Sequence, residues 1–147
     1  MPVAFEIRDA VVAELVAGMG SFTPAFNPIA RALPIARLKD LSTLRVTVIA
    51  PLVESEPLSR HQTQETYQIE IGVQQRIEAD DDDDFESKVA AVVDLAQQIA
   101  DYMDRRNLTD YPTARYAGRQ FVPYDADQLN EDRLATSIVT LRYIVAR

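Results

Sequence analysis

The chain has 147 residues, which is the size of one ordinary domain and is enough to bury a core without covalent staples. It contains no cysteine, which excludes disulfide bonds and thiolate metal sites, and its net charge of -8 argues against a free-standing nucleic-acid binder. No apolar run approaches the length that spans a bilayer, so we expect no membrane partner. We expect residues 1–147 to form a single domain.

The first predicted element is a helix over Ala4–Met19. Its apolar residues recur at steps of four, at Ile7, Val11, Leu15 and Met19. This spacing places them on one face of a helix, and Gly18 or Gly20 can end it. Because the helix has few polar residues, we expect it to be covered on more than one side, by the core or by a subunit contact.

The next segment, Ser21–Thr43, is interrupted by prolines at positions 24, 28 and 34. Each proline fixes its own φ and keeps its neighbour out of the helical region. We therefore predict no long helix here, and an extended edge strand over Ile29–Leu38, because sheet edges tolerate proline. Phe22 and Phe26 lie in this segment, where they either pack into their own domain or contact a partner.

Two strands are predicted in the middle of the chain, over Leu44–Val53 and Thr66–Ile77. Apolar and polar residues alternate in both, which is the period of a strand with one buried face. The segment between them, Glu54–Glu65, is polar and contains Pro57. We predict a hairpin whose tip is a loop of about 12 residues, a length at which a functional or disordered segment is expected.

A long amphipathic helix is predicted within Asp80–Arg106. Its apolar face consists of Phe85, Val89, Val92, Val93, Ala96, Ile99, Ala100 and Met103. Asp83 or Asp84 is placed to cap the helix, with Glu86 closing a capping box on Asp83. The aspartate run Asp80–Asp84 has the charge to attract a hard cation but lacks the spacing of an EF-hand. We interpret it as a hydrated loop that caps the helix, and leave cation binding open.

Three further elements are predicted after this helix. A short strand is predicted over Gln120–Tyr124, and a polar turn or a single helical turn over Asp125–Arg133. A final strand is predicted over Thr136–Val145. The final strand carries Ile138 and Ile144 on its second face, which predicts a central strand or one covered on both faces. The strands come as hairpins and do not alternate with helices. The predicted fold class is α+β, a mostly antiparallel sheet with a long hairpin, flanked by an N-terminal helix and a long central helix.

No catalytic motif accompanies these elements. The chain has no Gly-rich phosphate loop, no nucleophile elbow and no zinc-protease motif. Its one histidine, His61, lies in the polar hairpin segment beside Ser55 and Ser59 and lacks an orienting acid, so we interpret it as a solvated loop residue. We predict that the protein is not an enzyme and that it holds no cofactor and no catalytic metal.

Several strings of the sequence resemble one protein family. They are Leu38-Lys39-Asp40-Leu41 leading into Leu44-Arg45-Val46-Thr47-Val48, then Glu54-Ser55-Glu56, Tyr67-Gln68-Ile69-Glu70-Ile71-Gly72-Val73-Gln74 and Ser137-Ile138-Val139-Thr140-Leu141-Arg142-Tyr143. Together they resemble the tail-terminator and tail-completion (head-tail joining) proteins of tailed bacteriophages. The resemblance spans most of the chain in the order of its elements, and it is not a catalytic signature.

The resemblance implies a structural virion protein that forms a ring, usually six-fold. Such a ring caps the tail tube, ends its polymerisation and joins the tail to the head or neck. The implied partners are further copies of the chain, the tail tube protein and a neck or head-completion protein, with genomic DNA passing without specific binding. The implied location is the head-tail junction of the virion, and the host cytoplasm during assembly. The alternatives are a neck, head-completion or connector ring on the same axis, and a small tail assembly factor.

Within this resemblance we predict a partner-contact loop that reaches along the tail axis to a tube or neck protein. It comprises Glu54, Ser55, Glu56, Pro57, Leu58, Ser59, Arg60 and His61. The acidic balance of the chain also suggests a negative lumen that repels DNA phosphates and lets the genome slide.

Overall fold

The computed structural model of this protein describes residues 1–32 and 43–147. Three α-helices and five β-strands lie in these two ranges. The helices are α1 (Val3–Ala17), α2 (Asp82–Met103) and α3 (Ala126–Asp132). The strands are β1 (Pro28–Ala30), β2 (Arg45–Pro57), β3 (Thr63–Arg76), β4 (Arg115–Val122) and β5 (Leu134–Ala146).

The strands form one five-stranded sheet in the order β1-β2-β3-β5-β4. β1 is parallel to β2, and every other neighbouring pair is antiparallel. The predicted α+β class is confirmed, with its mostly antiparallel sheet, long hairpin, N-terminal helix and long central helix. None of the helices in the described ranges is long and apolar enough to cross a membrane.

The core lies on one face of the sheet, where α1 and α2 pack. Alternate side chains of β3 and β5 are fully buried on this face, among them Ile69, Ile71 and Leu141. β5 lies between β3 and β4, so the prediction of a central final strand is confirmed. On the second face Ile138 and Ile144 are only half-buried, as expected where no described helix covers the sheet.

The prediction of a loop over Glu54–Glu65 is wrong. β2 and β3 stay paired to their ends, with Glu54 opposite Thr66 and Pro57 opposite Thr63, and only residues 58–62 connect them. Every residue from 51 to 62 is exposed. A strand exposed on both faces needs no apolar alternation, because its backbone hydrogen bonds to the neighbouring strand hold it in place. The polar sequence therefore reflects exposure, and the hairpin is longer and its tip shorter than predicted.

The predicted edge strand over Ile29–Leu38 is confirmed at its start only. β1 is a sheet-edge strand that pairs with the beginning of β2. The rest of that prediction from residue 33 onwards, and the quoted string at residues 38–41, lie outside the described residues. Phe22 and Phe26 are buried with their ring centroids 5.0 Å apart, so both pack into their own chain.

The end of α1 is in close contact with α2. The helix ends at Gly18, where a Cβ would lie 2.4 Å from the ring atom Cζ of Tyr102 on α2. The Tyr102 hydroxyl donates to the backbone carbonyl of Glu14 at 3.1 Å. Because real Cβ atoms do not approach other atoms so closely, only glycine permits the tyrosine ring to lie in this position.

Glu14 is a buried acid on the core side of α1. Its carboxylate accepts a hydrogen bond from the backbone N–H of Thr109 at 2.8 Å and lies 3.8 Å from the Arg106 guanidinium. A buried carboxylate requires such partners, so these contacts tie α1 to the segment that follows α2. Glu14 lies on the same buried face as Ile7 and Leu15, so that α1 is covered on more than one side stays a prediction.

The cap of α2 lies earlier than predicted. Asp81 is the N-cap, and its side chain accepts from the backbone N–H of Asp84 at 2.7 Å. The capping box expected between Asp83 and Glu86 is therefore wrong, because Asp83 already lies inside the helix. Asp84 also forms an ion pair of 3.2 Å with Lys88. A run of identical residues offers the same capping group at each position, so sequence alone does not select one of them.

Candidate functional site

The candidate site is the outer part of the β2–β3 hairpin, residues 51–66, which we call the distal arm. Its residues 51–62 are all exposed, and Leu52 and Leu58 leave 43% and 52% of their surface open to solvent. These exposed apolar side chains offer surface for a contact with another protein.

The predicted contact residues divide between a strand and a turn. Residues 54–57 belong to β2, and residues 58–61 belong to the connection to β3. In the turn, the backbone N–H groups of Leu58 and Ser59 donate to the carbonyl of Gln62 at 3.0 and 3.2 Å. Ser59 Oγ accepts from the backbone N–H of His61 at 3.3 Å. This contact does not use the imidazole, so it does not form a nucleophile–base pair.

The residue that follows β5 contacts the start of β3, at the base of the turn. Thr63 and Arg147 exchange backbone hydrogen bonds of 2.7 and 2.8 Å. The Arg147 guanidinium pairs with Glu65 at 3.1 Å, and the hydroxyl of Tyr67 donates to the same carboxylate. These contacts join the start of β3 to the residue that follows β5, and β3 is paired with β2 at the same level, so the short turn extends from a fixed base.

Burial, together with the hydrogen bond to the Glu65 carboxylate, raises the pKa of Tyr67 to about 12. The tyrosine of the unfolded chain has a pKa near 10. The folded state holds its phenolic proton more tightly, so it gains stability that is fully present below pH 10 and is lost at higher pH. We expect the free energy of unfolding to fall as the pH rises from about 10 to about 12, and Tyr67→Phe to reduce that fall. Urea unfolding at a series of pH values measures it. Tyr143, whose pKa burial also raises, should still contribute in the variant. An equal fall in both proteins would contradict the assignment to Tyr67.

One row of paired residues crosses the sheet from edge to edge. Glu54 on β2 lies opposite Thr66, which lies opposite Ile144, which lies opposite Arg115 on β4. The row therefore has an exposed acid at one edge of the sheet and an exposed base at the other. β1 covers the outer edge of β2 only along Val46–Val48. Beyond these residues no strand in the described ranges pairs with that edge.

On the edge strand β4, Arg119 is engaged with acids of its own chain. Arg119 lies 3.0 Å from Asp101 and 3.9 Å from Asp104, and its guanidinium holds the pKa of the Asp101 carboxyl below its usual range. Within residues 1–32 and 43–147 there is no group of three or more His, Asp or Glu side chains placed to hold a metal ion.

No protein-family model matches this chain, and no curated protein matches it. Among solved structures, the fold is similar to that of the PVC sheath/tube terminator of an extracellular contractile injection system, determined by cryo-EM in the extended state. The TM-score is 0.52 at 13% sequence identity. The match covers 97% of this chain and 56% of that chain, so this chain spans little more than half of its neighbour's length. At this identity, the likeness shows a shared fold.

Proposed function

We propose that this chain is a non-enzymatic structural subunit that forms a ring on the axis of a tail and ends the growth of the tail tube. The observation that supports the proposal is the similarity of its fold, over 97% of the chain, to a sheath/tube terminator. The strings that resemble phage tail-terminator proteins support it independently. Head joining and six-fold symmetry rest on that resemblance alone.

A closed ring requires a heterologous contact, in which one surface of a subunit meets a different surface of the next. The two edges of the sheet provide such a pair, namely the outer part of β2 and β4. Across the order β2-β3-β5-β4 each strand is antiparallel to its neighbour, so β2 and β4 run in opposite directions. The β2 of one subunit can therefore lie antiparallel beside the β4 of the next and continue the sheet. In this arrangement Glu54 faces Arg115 across the contact.

The proposed ring meets the tail tube on one side and a neck or head-completion protein on the other, at the head-tail junction of a virion. The net charge of -8 supports a lumen past which DNA moves without binding. The described neighbour terminates a sheath and a tube, so the tube contact has more support than the head contact.

Light scattering of the purified protein, with electron microscopy of particles made without it, tests this proposal. We expect a mass that is a small multiple of 16.5 kDa, and tails that are overlong or lack heads. A protein that stays monomeric at every accessible concentration, together with tails of normal length in its absence, would overturn the proposal. Protein found only on the portal side of tail-less heads would instead favour a neck or head-completion ring.

The turn of the distal arm is the part that we expect to contact the axial partner. Replacing residues 58–62 with Asn-Gly joins Pro57 to Thr63 by a two-residue turn that suits an antiparallel hairpin. The variant should keep the thermal stability and native mass of the wild type, while the fraction of tails joined to heads falls by about tenfold, as expected for loss of a central contact. Electron microscopy of complemented particles measures that fraction. Unchanged joining would remove the turn from the contact.

A further inference from the structure

A second surface feature lies far from the distal arm, along α2 where it passes α3. It is an open groove with a cavity volume of about 810 Å³. Its floor is apolar and consists of Phe85, Val89, Val93, Leu129 and Tyr124. The three residues from α2 are spaced four apart, so they form a continuous apolar line along the helix. Tyr124 leaves 47% of its surface exposed at the margin of the groove.

The rim of the groove is acidic. Asp82, Glu86 and Asp94 line it, and the lining includes no lysine or arginine. Arg133 contacts the ring of Phe85, with its guanidinium carbon 5.0 Å from the ring centroid, but it does not line the groove. An apolar floor inside an acidic rim fits an apolar surface that is flanked by positive charge.

The shape of the groove indicates what secondary structure fits it. The α2 residues that line it extend from Asp82 to Gln97, which corresponds to about 23 Å of helix. A groove of this length beside a helix suits another helix, which anchors through apolar residues at positions i, i+3 or i+4, and i+7. Ala90 lies in the middle of this length and is exposed, so its small side chain leaves room for an incoming side chain.

We propose that this groove binds an amphipathic helix of a different protein, with its apolar face flanked by lysine or arginine. A second copy of this chain is the competing occupant, and the native mass of the variants described below tests it. The proposal rests on the groove alone and does not depend on ring formation or on a role at the end of a tail.

A designed helical peptide provides the probe. It has about 18 residues, or about 27 Å of helix, with leucines on one face and lysines on both flanks. The matched control peptide has the same leucines with glutamates in place of the lysines. In fluorescence anisotropy with the purified full chain, we expect the lysine peptide to bind at least about tenfold more tightly than the glutamate peptide. This preference should shrink at high salt, because ions screen exposed charges.

Two neighbouring alanines of α2 supply matched variants. Ala90→Arg places bulk and positive charge in the groove and should weaken binding of the lysine peptide by about tenfold or more. Ala91 is also exposed but does not line the groove, so Ala91→Arg should bind as the wild type does. Equal binding of the two peptides, no binding of either, or equal losses in the two variants would overturn the proposal. A change in native mass with Ala90→Arg alone would also overturn it, because a second copy would then be the occupant.

Discussion

A Glu54→Lys variant should fail to assemble at concentrations where the wild-type protein forms rings. In the proposed contact, the lysine of one subunit faces Arg115 of the next, and the like charges repel at every interface of the ring. The acid and the base lie at the two ends of one row across the sheet, so they meet when the sheet continues from subunit to subunit without a shift in register. We expect the concentration at half-assembly, measured by light scattering, to rise by about tenfold or more.

The reversed pair provides the decisive control. Arg115→Glu alone should show the same defect, while the double variant Glu54→Lys with Arg115→Glu places opposite charges at each contact again and should restore assembly. Glu6→Lys changes an exposed acid on α1 in the same way and should leave assembly unchanged. If the double variant assembles no better than the single variants, the two edges of the sheet do not meet in the ring, although a ring closed by other surfaces would remain possible.

The elements that carry apolar periodicity could be predicted from the sequence, because burial on one face leaves a regular pattern. β3 is an example, since its buried residues Tyr67, Ile69, Ile71 and Val73 alternate with polar ones. β4 could not be predicted in the same way. Arg115 to Gln120 belong to an edge strand with little buried surface, so the sequence carries little apolar alternation there. The pattern predicts only the last part of this strand, from Gln120 onwards.

The candidate site shows the same limit. The distal arm could be located from its polarity and from Pro57, but its polar residues indicated a loop where the structure has paired strands. The row from Glu54 to Arg115 depends on strand order and register, which join residues far apart in the chain. The groove between α2 and α3 likewise forms by tertiary packing, and no local spacing of Phe85 or Leu129 predicts it.

That the chain forms a single domain stays a prediction.

Gly18→Val should destabilise the fold by about 2–3 kcal/mol, because the added side chain overlaps the ring of Tyr102 and must displace it. That ring is not free to move without cost. It packs edge-on against Phe22 at 5.2 Å, lies under the Arg106 guanidinium at 3.8 Å and donates a hydrogen bond to Glu14. For a chain of this size, the loss corresponds to a fall in Tm of roughly 5–10 °C in a thermal melt.

Gly20→Val is the matched control, because a Cβ at Gly20 would have no atom within 4 Å. It should change the free energy of unfolding by no more than about 0.5 kcal/mol, as surface substitutions usually do. A double variant that also carries Tyr102→Ala opens the space that the valine needs. Its loss should therefore be smaller than the sum of the two single losses, because residues in direct contact are not additive. Equal destabilisation by valine at positions 18 and 20 would mean that backbone conformation, and not the tyrosine ring, selects glycine at the end of α1.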